Sequence, residues 1–138
     1  MNKQIAALAH DVETIVMWDM DALLSDFGNV PYQVVETVKL KPREWLTIDP
    51  QYAMTTDVDK PIVLFSLPNR QFYVADGNHR LYRAVTEQIP TMKVIIVSQD
   101  QHLRYLYECT SEAYFRVIDQ LRDEGIFIDD FTCEGSTR

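Results

Sequence analysis

Two cysteines and four glycines are all that this chain of 138 residues contains of either, and no apolar run approaches the roughly 18 residues a membrane-spanning helix needs. Cys109 and Cys133 lack CxxC spacing and cannot build a metal site alone, so they read as reduced bystander thiols. The opening MNKQIAALAHDVETIV carries acidic residues where a secretory signal has an unbroken apolar stretch, so the expected location is cytoplasmic. Positive charge is also short. Thirteen Lys and Arg face 21 Asp and Glu, a formal charge of −8 that argues against a surface tracking nucleic acid.

What is present is ordinary globular material. With 46% hydrophobic and 25% charged residues, the chain can close a real core, most simply as one domain over 1–138. Charge is unevenly spread. Between Lys60 and Lys93 five basic residues face two acidic ones, a net of +3 that leaves −11 for the remainder. A small positive island in an acidic chain suits a compact anion better than a duplex.

Apolar periodicity predicts the element order. Residues 1–28 place Ile5, Leu8, Val12, Ile15, Val16, Leu23, Leu24 and Phe27 near helical spacing, with Gly28 as a stop. The run YQVVETVKL, Tyr32 to Leu40, alternates as a strand, and a short helix is expected around Glu44 to Tyr52. IVLFSL is a buried strand joined by the turn at Leu67 to Arg70 to QFYVA, forming a hairpin. His79 to Gln88 follows a helical pattern ended by Pro90, and TMKVIIV is another strand. Ser98 to Gln101 resembles a capping box for a long helix over about 99–124, and IFIDDF suggests a last edge strand. The expected fold class is α+β, a mixed sheet packed against helices with extra N- and C-terminal helices.

The stretch FYVADGNHRLYRAVTEQIP carries the chemistry. A strand ends, the chain turns through Gly77, and a helix begins within two residues. The first N–H groups of a helix lack intrahelical partners and carry the positive end of its dipole, so such a corner can receive an anion. Gly77 permits positive φ and close approach of a phosphate, Arg80 and Arg83 bring forked donors, and His79 adds a further donor. Asp76 is placed to orient a metal ion or an acceptor. The dull reading of the same residues is a corner that needs glycine for geometry alone, capped by Asp76 or Asn78.

Quoted whole, PIVLFSLPNRQFYVADGNHRLYRAVTEQIPTMKVIIV resembles the core of the ParB/sulfiredoxin superfamily, over about 34–97. ParB proteins show Gly-Glu-Arg-Arg and hold CTP; sulfiredoxins show Gly-Cys-His-Arg and hold ATP. The superfamily's free serine kinases show Asp-Gly-His-His-Arg, nearest to Asp76-Gly77-Asn78-His79-Arg80 here. The resemblance implies that Gly77, Asn78, His79 and Arg80 surround the terminal phosphates of ATP or CTP with Mg²⁺, and that an upstream glutamate, Glu36 or Glu44 by order, acts as base. Two departures narrow it. Asn78 stands where sulfiredoxins have their cysteine, and the Glu-Asn-x-x-Arg box and helix-turn-helix of ParB are missing.

Elsewhere the readings are plainer. Asp19, Asp21 and Asp26 read as solvated acids on a helix face, and Asp57 with Asp59 as a loop with two solvated acids. His10 and His102 read as surface residues on helices, and Trp18, Tyr105, Tyr107, Tyr114 and Phe115 as core aromatics rather than a base-stacking platform. The leading functional expectation is a nucleotide-dependent phosphotransferase or hydrolase using Asp76, His79 and Glu36. The alternative is a non-enzymatic regulatory or interaction module with a homodimer or partner surface on its terminal helices, and a nuclease stands third.

Overall fold

The computed structural model describes residues 5–11, 14–27, 31–41, 48–68, 70–107, 111–121 and 128–129. It is a mixed α+β structure built around a five-stranded sheet. In chain order its strands are β3 (Gln33–Glu36), β4 (Ile62–Ser66), β5 (Gln71–Asp76), β6 (Thr91–Val97) and β8 (Ile128–Asp129), arranged β3-β6-β4-β5-β8. β4 and β6 run parallel; the other pairs are antiparallel. A second, three-stranded sheet joins β1 (Ile5–Asp11), β2 (Thr14–Asp19) and β7 (Leu106–Tyr107) in the order β1-β2-β7.

The continuous apolar run of β4 is explained by its position. It lies between β6 and β5, and its side chains alternate between two cores. Val63 and Phe65 join Ile95 and Val97 of β6 and Tyr73 of β5 in one core; Ile62 and Leu64 join Met92, Val94 and Val74 in the other. A strand buried on both faces has no polar side, so period-two alternation vanishes from its sequence. The second core is closed by α3 (Asn78–Thr86), whose Leu81 and Ala84 are fully buried at helical spacing. The first is closed by β2 through Val16 and Trp18, by α1 (Met20–Phe27) through Met20 and Leu23, and by α5 (Ser111–Leu121) through Tyr114, Val117 and Ile118. Each fully buried Leu, Ile or Val contributes about 2 kcal/mol, so both faces hold the central strand.

Two expectations are corrected. Of the helical extension expected over 1–28, only α1 is helical among the described residues: β1 and β2 pair antiparallel, with Leu8 opposite Val16, before α1 begins at Met20. Short apolar runs fit a strand as well as a helix, and in β2 burial alternates, with Val16 and Trp18 inward and Met17 and Asp19 half-buried. His10 accordingly lies in β1, not on a helix. The helix expected over 99–124 is also interrupted. The Ser98 capping box is present, but α4 (Gln99–His102) lasts one turn, gives way to a 3₁₀ turn at Leu103–Tyr105, and is followed by β7. Pairing of Trp18 with Leu106 and of Met17 with Tyr107 draws this aromatic stretch into the second sheet. Among the described residues helix resumes at Ser111.

Smaller differences follow the same logic. The strand expected over Tyr32 to Leu40 stops at Glu36, and a 3₁₀ turn, Thr37–Lys39, takes over with the Thr37 N–H donating to Pro90 O at 3.0 Å. The short helix expected around Glu44 to Tyr52 is α2 (Pro50–Ala53), started by Asp49 accepting from Gln51 and Tyr52 with proline at its first position. Pro42 and Glu44 lie outside the described residues, as do Gly28, Gly125 and the tail TCEGSTR. No helix among the described residues is long and apolar enough to cross a membrane.

Candidate functional site

The corner between β5 and α3 is built by a bulge and a glycine. Pairing of β4 with β5 shifts register between Val63 and Leu64, so Val63 faces Asp76 while Leu64 faces Val74. The extra residue, Ala75, bends the end of β5 just before the turn. Gly77 then adopts φ 104° and ψ 19°, a left-handed conformation, and its carbonyl accepts the first helical bond from Leu81 N–H at 2.9 Å. A Cβ on Gly77 would stand 2.6 Å from Ile62 Cγ2 and 3.0 Å from Arg80 Nη2. The glycine is demanded by backbone sign and by the packing of Ile62, before any ligand is considered.

No side chain caps α3 at Gly77. Asn78 turns its amide back to donate to Val74 O at 3.3 Å, and the leading N–H groups of the helix have no intrahelical partner. They open on a shallow cleft of about 100 Å³ lined by Tyr52, Thr56, Asp76, Gly77, Asn78, His79 and Arg80. That volume suits one phosphate-sized group, well below the ~300–1,000 Å³ of sites that enclose a whole small molecule.

The side chains expected to grip the anion are largely committed to the protein. Arg80 Nη2 donates to Pro61 O at 3.0 Å and to Asp76 Oδ2 at 3.2 Å, and the side chain is only 17% exposed. Its Nε is buried without a hydrogen-bond partner among the described residues. Arg83 is not among the residues lining the cleft: it pairs with Glu87 at 3.2 Å and donates to Thr56 O, tying the middle of α3 to the segment after α2. His79 Nε2 accepts from Asp49 N–H at 3.2 Å and its ring meets Tyr52 edge-on at 4.8 Å between centroids.

Asp76, Gly77, Asn78, His79 and Arg80 are thus brought together; Glu36 and Arg83 are not. Glu36 ends β3, and β6 and β4 lie between β3 and β5. Three strand spacings of about 4.8 Å separate it from Asp76, and its carboxylate sits 3.9 Å from Lys39. Asp57 and Asp59 are used in a turn, with Asp59 N–H donating to Asp57 Oδ1 at 2.9 Å. Among the described residues no group of three or more His, Cys, Asp or Glu is assembled to hold a metal ion, so Asp76 is the sole acidic wall of the cleft.

A second polar cluster was not anticipated. His102, expected at the surface, is fully buried and stacked on Phe65 at 4.4 Å, with Trp18 and Tyr114 each 5.7 Å away. Its Nε2 makes a 2.9 Å bond to Ser66 O, and burial lowers its pKa to about 4. His102 Nδ1, Trp18 Nε1 and Tyr114 Oη have no hydrogen-bond partner among the described residues, and burial pushes the Tyr114 phenol up. The signal in the sequence was spacing: His102 follows the Ser98 cap by one helical turn, which aims it back at the sheet. Asp19 and Asp26 also do more than face water. Asp19 Oδ1 accepts from Ala22 N–H at 3.1 Å at the start of α1, and Asp26 accepts from the Tyr105 hydroxyl, which raises the Tyr105 pKa.

No protein-family model, curated protein or solved structure matches this chain.

Proposed function

We propose that the protein is a non-catalytic binding module that receives the terminal phosphate of a small anionic ligand, a nucleotide such as ATP or CTP, on the backbone amides at the start of α3. The observation carrying this reading is the uncapped helix start at Gly77, opening on a cleft of about 100 Å³. Backbone donors at the positive end of a helix dipole are enough for an anion. The sequence likeness of residues 34–97 to the ParB/sulfiredoxin superfamily supports a nucleotide as the source of that phosphate, and the order hairpin, helix, parallel strand is compatible with a ParB-like core. Binding is favoured over phosphoryl transfer because Glu36, the described candidate for a base, stands three strands from Asp76, and Arg80, though it lines the cleft, is paired with Asp76 as Arg83 is with Glu87.

Thermal denaturation with ATP, CTP, GTP, ADP and inorganic phosphate, each with and without Mg²⁺, tests it. A ligand present at 100 times its Kd stabilises by about 2.7 kcal/mol, so a clear rise in Tm is expected for at least one phosphate compound. His79→Glu should fold as well as the parent, since an acid is favourable in the first turn, yet lose the response through repulsion. Absence of any shift sinks the reading. Phosphate release or transfer in the same mixture replaces it with the phosphotransferase.

A further inference from the structure

A larger recess lies at the opposite end of α3. It measures about 420 Å³ and is walled by Val38, Val85, Ile89 and Pro90, with Lys41 and Gln88 as its polar members and Thr37 beside them. That volume falls within the ~300–1,000 Å³ of sites that enclose small molecules, and it is about four times that of the corner. Two backbone devices shape it. The Thr37 N–H bond to Pro90 O holds the 3₁₀ turn against the start of β6. At the end of α3, Gln88 N–H donates to Val85 O at 3.2 Å and Ile89 N–H to Ala84 O at 2.9 Å, with Gln88 at φ 55°. This paired closure satisfies the last helical carbonyls and throws Ile89 back across the recess.

The charge at its rim is selective. Lys39 is 3.9 Å from Glu36, and Arg83 is paired with Glu87 at 3.2 Å, so both neighbouring cations are answered. Lys41 has no ion-pair partner among the described residues. Val38, beside it, is 80% exposed, an apolar side chain left in water at the mouth. Thr37, which lines the recess, is 3% exposed, and its buried hydroxyl has no hydrogen-bond partner among the described residues. An apolar wall, one unanswered cation and a buried donor complement a molecule with an apolar body and a single anionic head.

We infer that this recess binds a small monocarboxylate with an apolar body, its chain lying on Val38, Val85 and Ile89 and its carboxylate at Lys41. The site is separate from the α3 corner. A helix of nine residues puts about 13 Å between its two ends.

Octanoate, octanol and octylamine are the probes, titrated into the ¹⁵N-labelled protein and followed by backbone amide shifts. Octanoate should move the amides of Val38, Val85, Gln88 and Ile89, and octylamine should bind distinctly more weakly. Lys41→Met keeps the apolar stem and removes the charge; it should weaken octanoate about fivefold at low salt, the worth of one partly exposed ion pair, and leave octanol unchanged. Val38→Glu, on the exposed rim, should weaken octanoate without altering the fold. Octanoate leaving these amides unmoved, octylamine binding equally well, or Lys41→Met leaving octanoate affinity intact would overturn the inference. Neither variant touches the corner, so a nucleotide response that persists in both separates failure here from failure there.

Discussion

At the β5–α3 corner, Arg80 gives its protons to Pro61 O and Asp76, and Arg83 to Thr56 O and Glu87. On the other face of the same sheet, Trp18, His102 and Tyr114 bury three polar atoms that have no partner. The first region is rich in charge and pairs most of it internally, with Arg80 Nε the exception; the second carries little charge and leaves three polar atoms unanswered among the described residues. Charged side chains on a half-exposed surface can swing to the nearest acceptor, whereas ring nitrogens and a phenol locked among packed aromatics go where the packing puts them. The outward-facing capacity of the corner therefore rests on backbone amides, and the core's sensitivity to conditions rests on His102.

The hardest way to break this contrast is at Gly77. Gly77→Ala imposes a left-handed conformation on an L-residue and drives its methyl onto Ile62, at 2.6 Å before relaxation. A loss of about 4 kcal/mol is expected from strain plus overpacking, read as a lower urea midpoint. An unchanged midpoint means the corner is not packed as described.

Acid probes the other region. His102 binds its proton more weakly when folded, near pH 4, than at the usual 6.5 when unfolded, because burial disfavours the charged ring. Neutral His102 therefore contributes its full stability above pH 6.5, and that contribution is lost as the pH falls toward about 4. The total is on the order of 3 kcal/mol. Urea unfolding between these pH values should show the fall, and His102→Phe should flatten it; parallel curves for the two proteins would remove His102 from the account.

Arg80→Met gives the smallest effect and the sharpest comparison. Losing the bonds to Pro61 O and Asp76 should cost about 2 kcal/mol, while the nucleotide-induced rise in Tm survives, since the donors at the start of α3 are backbone. If instead the protein keeps its stability and loses the nucleotide response, Arg80 is a ligand and not a strut.

How much of this was legible depended on whether neighbours in sequence are neighbours in space. The β4–β5 hairpin, α3, β6 and the Ser98 cap all show their periodicity or their turn residues locally, and all appear close to their expected bounds. Within the first 28 residues the helix at Leu23 to Phe27 was legible, but β1, β2 and the segment around Leu106 were misread because β1, β2 and β7 exist only through mutual pairing. At the candidate site, the strand, glycine and helix were readable, but the use of each side chain was not. Nothing near Arg80 in sequence announces Pro61 O as its acceptor, 19 residues away. Glu36 fits by order and is removed by a strand order that no local pattern contains.

By itself the sequence determined the local events: where apolar runs must be buried, that Gly77 takes the turn no other residue adopts cheaply, and that α3 starts immediately after it. Only the tertiary structure decided which sheet each strand joins, that His102 is buried, and that the arginines beside the corner answer to the protein. The physical reason is range. Backbone sterics and helix capping act within a turn or two of chain, whereas pairing, burial and ion-pair choice are settled by whichever distant groups the packed fold brings within a few ångströms.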